Sequence, residues 1–153
     1  MTDIAVKEFR DAIANLEEDI LTLDGVLIGK ESEELCPVVH SFGDNCYIRQ
    51  IFMPKGTLLV SKIHKVTHPY FVMTGKASVA TEDGVEIIQA PFQGITEAGT
   101  KRALYIHEDM VWITVHVTNE TDLEKIESEI IAKDFNEYDS LLDSLNDSLK
   151  IKE

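Results

Sequence analysis

Five histidines, His40, His64, His68, His107 and His116, are the side chains of this 153-residue chain most suited to chemistry near neutral pH. Imidazole titrates there and is also the commonest ligand for divalent metals. His64 and His68 fall close together on the run Ser61-Lys62-Ile63-His64-Lys65-Val66-Thr67-His68-Pro69-Tyr70. If this run is a strand, Lys62 and His64 share one face. A turn at Val66-Thr67 then brings His68 back toward that face. His116 alternates with Trp112 and Thr114 on the last predicted strand and offers a third nitrogen. His64, His68 and His116 are therefore the candidate metal ligands, and a divalent ion is the candidate cofactor, with none certain. No residue stands out as catalytic. Cys36 and Cys46 match neither a CxxC pair nor a zinc ribbon, and read as reduced, half-buried thiols.

The elements that must position these residues follow from periodicity. Val6, Phe9, Ile13, Leu16, Ile20 and Leu23 recur at spacings of three and four, which predicts an amphipathic helix within residues 1–25. Its stripe serves equally for packing on its own chain or for a seam with a second subunit. Short segments rich in Val, Ile, Thr and aromatics follow, at 26–28, 37–42, 46–53, 57–66, 70–74, 76–81, 85–90, 102–107 and 111–118. Gly- and Asp-containing turns separate them. This pattern predicts an antiparallel sandwich or barrel across residues 26–119. Residues 120–153 return to helical spacing, with Thr121 and Glu124 as an expected capping box and Leu142, Leu145 and Leu149 on the apolar stripe of an acidic tail.

Charge is unevenly distributed. The net charge is −14, with −7 on residues 1–35, zero on 36–119 and −7 on 120–153. Nucleic-acid binding is not expected, because phosphate contacts need a basic face. Acidic end helices suit solubility or docking onto a basic protein. No apolar run is long enough to span a membrane and the N-terminus lacks the features of a signal peptide, so a cytoplasmic setting is expected.

Gly56, His64, His68 and Gly75 are spaced in a way that resembles the first motif of the cupin superfamily. In that alignment Lys62 stands where the first His belongs, His64 keeps the second, and His68 replaces the Glu. The second cupin motif is similar to Glu97-Ala98-Gly99-Thr100-Lys101-Arg102: Gly99 keeps its place, Arg102 stands for the ligand His, and Ile106 for the Asn. The resemblance covers roughly residues 37–118. It implies a mainly β fold, a single cupin-type jelly-roll barrel flanked by an N-terminal and a C-terminal amphipathic helix, and a homodimer or higher homo-oligomer. Residues 62–75 and 94–109 are also similar to small cupin-like proteins encoded in tailed-bacteriophage genomes, which implies an accessory role in the host cytoplasm or virion.

Two functional readings stay open. Cations in two ligand positions favour a non-catalytic binding or assembly module. In it Lys62, His64, His68, Arg102, Tyr70 and Trp112 line a ligand pocket, and the acidic end helices meet a protein partner. Glu97 or Glu86 would neutralise the cations, or an anionic ligand would do so. The alternative is a metal-dependent enzyme acting on a small anionic substrate, with His64 and His68 as ligands. A metal-free variant would set His68 and Tyr105 in acid–base roles.

Overall fold

The computed structural model describes residues 3–151. Helix α1 (Asp3–Leu21) and the short α2 (Lys30–Leu35) precede strands β1 (Val38–Gly43), β2 (Cys46–Met53), β3 (Leu58–Val60), β4 (Ile63–His64), β5 (His68–Thr81), β6 (Gly84–Gln89), β7 (Phe92–Thr96) and β8 (Ala103–His116). Then come α3 (Leu123–Ile130), β9 (Ile131–Ala132) and α4 (Phe135–Ile151). Residues 26–28, expected as a strand, lie in the connection from α1 to α2, and β7 is a strand that the periodicity did not reveal.

Two long antiparallel strands, β5 and β8, organise the sheet. The segments expected at 70–74 and 76–81 are one strand, and so are those at 102–107 and 111–118, apart from its last two residues. Register shifts between Val72 and Ala77 bend β5 where a turn had been expected at Gly75. Gly75 has a φ of +95°, and a Cβ there would lie 2.5 Å from the Asp109 carbonyl oxygen, so only glycine suits this bend.

The strand order is β1-β2-β8-β5-β6, with β3 pairing along β8 and β7 along β5. No ladder among the described residues joins β1 to β6, or β3 to β7, so the sheet is open. This corrects the expected closed jelly-roll barrel. The expected mainly β class is corrected as well, because the four helices hold nearly as many residues as the nine strands. Composition hid this: the β-rich middle dominated the pattern, and the break at residues 131–134 keeps helical spacing.

The core lies on the inner face of the long strands. Val72, Ala77, Val79, Ile88, Ile106 and Met110 are fully buried there, with Tyr70 and Trp112 at one end. Each of the larger of these, the Val, Ile and Met side chains, contributes about 1.5–3 kcal/mol by leaving water.

The terminal segments fold back onto this body. Asp122, not the expected Thr121, caps α3 by accepting from the Lys125 amide at 3.1 Å. Glu120 accepts from the amides of Thr121 and Asp122, which ties up the position expected to cap. Ile131 and Ala132 then pair with His64 and Ile63, which interrupts the long C-terminal helix. Asp134 restarts it by accepting from the Glu137 amide at 2.8 Å, while Glu137 accepts from the Lys133 amide at 2.9 Å.

Helix α1 packs on its own chain. Ile13 is buried, and Arg10 forms a two-pronged ion pair with Asp139 of α4, its guanidinium 4.2 Å from the Phe135 ring centroid. The acids of the end segments meet the body's own cations: Glu17 pairs with Lys101, Glu127 with Lys62 and Glu137 with Lys65. The expected homo-oligomer seam and the acidic docking ends find no support in this arrangement. No described helix is long and apolar enough to cross a membrane.

Candidate metal centre

Three imidazoles converge on the inner face of the sheet. His68 opens β5, His116 ends β8, and His64 ends the two-residue β4. In the β5–β8 register Tyr70 faces Thr114, and two more residues along that register set His68 opposite His116. Their ring centroids are 4.4 Å apart. His64 comes in from the side. Its strand is held by β9, and its carbonyl accepts from the Gly99 amide at 2.8 Å. Its ring lies 4.4 Å from that of His68 and 5.8 Å from that of His116. One ligand nitrogen from each of the three falls within 4.8 Å of the others. Two nitrogens bound about 2.1 Å from one ion are never more than about 4.2 Å apart, so small ring rotations suffice for coordination.

The surroundings prepare these nitrogens for a cation. His68 is 3% exposed, and its Nδ1 donates to the Val66 carbonyl at 2.9 Å. A carbonyl only accepts, so the proton sits on Nδ1 and the lone pair on Nε2. That Nε2 is buried and has no hydrogen-bond partner. An unpartnered buried acceptor is costly, and a metal ion is the partner that three facing imidazoles accommodate. His116 is also buried, and its Nε2 lies 3.1 Å from the Thr114 hydroxyl.

Burial, then neighbouring imidazoles and arginines, pushes His64 down to about 3. Burial, with His68 and Arg49, pushes His116 to about 4. Burial and Arg102 lower His68 as well, against the raising effect of its bond to Val66. All three are neutral at pH 7, the form that ligates metal.

Behind them lies a second tier. Tyr47 is the cross-strand neighbour of His116, with ring centroids 5.9 Å apart, and its hydroxyl is 2.6 Å from Nδ1 of His40. Ile126 and Ile130 of α3 pack on Tyr47 and cover this end of the sheet.

Of the residues expected to line a pocket, Tyr70, Trp112 and Arg102 gather beside the histidines. The Tyr70 and Trp112 rings stack at 4.6 Å, and the Arg102 guanidinium lies 5.1 Å and 5.8 Å from their centroids. Arg102 donates through Nη1 to the Thr96 hydroxyl at 2.9 Å, and Thr96 is the cross-strand neighbour of His68. Lys62 is elsewhere, on the surface with Glu127, because β4 is too short to carry the alternation back to residue 62. Tyr105 is exposed at the far end of β8, beside Leu58 and Ser78, and does not approach His68. Neither Glu97 nor Glu86 forms an ion pair with Arg102. Glu97 instead accepts from Thr67. Thr96 and Thr114 were not singled out from sequence, whereas Tyr47 was expected only as a pocket-lining residue; the alternation Trp112-Thr114-His116 was the available signal for Thr114.

No family profile matches the sequence, and no curated protein matches it. Solved structures do. An ectoine synthase from P. lautus is 14% identical, with a TM-score of 0.52 over 74% of this chain and 83% of that one. This likeness shows the fold alone. A cupin domain from Bordetella pertussis is 13% identical, with a TM-score of 0.44 over 54% of this chain and 93% of that one. A putative ethanolamine utilization protein from Salmonella typhimurium is 10% identical, with a TM-score of 0.46 over 54% and 69%. None of these three structures connects the chain to bacteriophage genomes.

The buried cluster overturns the expectation of a non-catalytic accessory module. Counting motif positions had left the ligand set incomplete. The third imidazole comes instead from the end of β8, outside both motifs.

Proposed function

We propose that this protein is a divalent-metal-dependent enzyme acting on a small anionic substrate. His64, His68 and His116 hold the ion, and Arg102 binds the substrate's charge. The observation that carries this reading is the set of three neutral imidazoles around the unpartnered Nε2 of His68. Structural zinc sites close with four protein ligands, whereas catalytic sites keep three and leave a position open. Among the described residues three ligating side chains gather here. Imidazole ligands suit zinc, iron, copper or nickel.

A divalent ion held there supplies Lewis-acid polarisation of a substrate oxygen. The chain's own groups do the rest. Thr114 and the Val66 carbonyl hold two rings in orientation. Arg102, braced by Thr96 and lying over Tyr70 and Trp112, presents a planar fork to a carboxylate or phosphate. Ile126 and Ile130 limit water around Tyr47.

The test is elemental analysis of protein purified without chelator, followed by a turnover screen of small carboxylates and phosphate esters with and without added metal. Stoichiometric metal and metal-dependent turnover are expected. Stoichiometric metal with no change in any anionic substrate would reduce the site to a structural one.

A further inference from the structure

Arg49 is a cation on the inner face with no carboxylate within ion-pair distance among the described residues. It sits on β2, is half-buried, and has Thr114 as its cross-strand neighbour on β8. Thr114 in turn faces Tyr70 on β5, and the Arg102 guanidinium lies over the Tyr70 ring. The row Arg49–Thr114–Tyr70 therefore runs directly beside the row Tyr47–His116–His68. Arg49 stands at one end, Arg102 at the other, and the three imidazoles lie alongside.

Four other cations of the body or of α1, namely Arg10, Lys62, Lys65 and Lys101, have a carboxylate within ion-pair distance. Arg49 and Arg102 do not. Arg102 has one hydroxyl partner, and Arg49 has neither an ion pair nor a side-chain hydrogen bond among the described residues. The acids that influence them, Glu127 for Arg49 and Glu86 for Arg102, stand beyond ion-pair reach, and burial is the main cause that lowers both arginines from their usual value. Unlike Nε2 of His68, the free nitrogens of Arg49 are not fully sealed from solvent. A half-buried guanidinium without a counter-charge is unfavourable unless an anion completes it.

We infer that Arg49 and Arg102 form a two-point anion clamp across the histidine cluster, and that the substrate is a small dianion with a carboxylate or phosphate at each end. Arg49 grows from β2, and the Arg102 fork lies over a residue of β5; the backbones of these two strands are two strand spacings, about 10 Å, apart. That span suits a molecule with two separated anionic groups better than a single carboxylate. This deepens the enzyme reading above and rests on it for the central, metal-facing part of the ligand.

The test is calorimetric titration of the full chain with acetate, malonate, succinate and glutarate. It is run on metal-loaded and on chelator-treated protein, for the wild type, Arg49→Gln, Arg49→Lys and Arg102→Gln. The best dicarboxylate is expected to bind wild type at least about ten-fold more tightly than acetate, the increment of a second charge-assisted contact. Arg49→Gln is expected to bring that ratio close to one and to leave acetate binding in place, and Arg49→Lys to retain part of it. Equal affinity for acetate and all three dicarboxylates overturns the clamp, as does a preference that survives Arg49→Gln. An Arg49-dependent preference in protein that takes up no divalent ion when offered zinc, iron, nickel or copper supports the clamp and removes the metal-enzyme reading, so the two failures are distinguishable.

Discussion

His68 donates its Nδ1–H to the carbonyl of Val66, two residues earlier, at 2.9 Å. The bond is local, so the turn into β5 itself sets the ring's tautomer. Nε2 is left buried and without a hydrogen-bond partner, and a His68 nitrogen lies within 4.8 Å of one from each of His64 and His116. Replacing His68 with Ala is expected to lower zinc affinity by more than about 10–100-fold, the range seen when only an outer partner of a ligand is lost. Competition against a chromophoric chelator measures it. An unchanged affinity would place the ion elsewhere.

Thr114 is the corresponding support for His116. Its hydroxyl is buried, 3.1 Å from Nε2. Thr114→Val keeps the shape and removes the hydroxyl. A loss of about 10–100-fold in metal affinity is expected, with Thr114→Ser close to wild type. The same competition assay reads both variants.

The metal-free protein is expected to lose stability on mild acidification. His64 and His116 titrate near 3 and 4 when folded, against 6.5 for free imidazole. Between those values the unfolded chain binds more protons, so stability rises with pH there. The contribution is complete above about pH 6.5 and falls away as pH drops toward 4 and then 3. Urea midpoints of chelator-treated protein from pH 7.5 to 4.5 would show the decline, and His116→Asn is expected to flatten it. A wild-type midpoint constant over this interval would contradict the assignment of buried neutral imidazoles.

Gly99 joins the site to the C-terminal helix. Its amide holds the His64 carbonyl, and a Cβ there would lie 2.6 Å from the Tyr138 ring at a φ of +85°. Gly99→Ala is expected to destabilise the fold by about 1–3 kcal/mol, through overpacking and left-handed strain. Because the clash is with Tyr138, Gly99→Ala with Tyr138→Ala is expected to cost less than the sum of the two single changes. Denaturant unfolding of the four proteins decides this, and strict additivity would contradict the contact.

How much of this was legible in the sequence varied with how local the cause was. His116 was identified by alternation with Trp112 and Thr114, because a 14-residue strand keeps its parity along its whole inner face. Lys62 was misplaced because parity needs a strand, and β4 is only two residues long. The closed barrel was expected from strand count and turn spacing. Those features cannot report whether the edges β1 and β6 meet, since ring closure depends on pairings far apart in sequence. The interruption at Ile131–Ala132 was invisible for a related reason: the apolar spacing there suits a helix, and only pairing with Ile63 and His64 draws it into a strand. Arg49 read equally as a pocket-lining residue or an ordinary strand residue, and its lack of an ion pair emerges only once Glu127 is seen paired with Lys62.

The most direct measurement of the central claim is the metal content of the protein purified without chelator, compared with a His64→Ala/His68→Ala/His116→Ala variant shown by circular dichroism to be folded. Close to one divalent ion per chain is expected in the wild type and none in the variant. A wild type free of metal even after incubation with zinc, iron, nickel and copper, or a variant that retains it, would contradict the account.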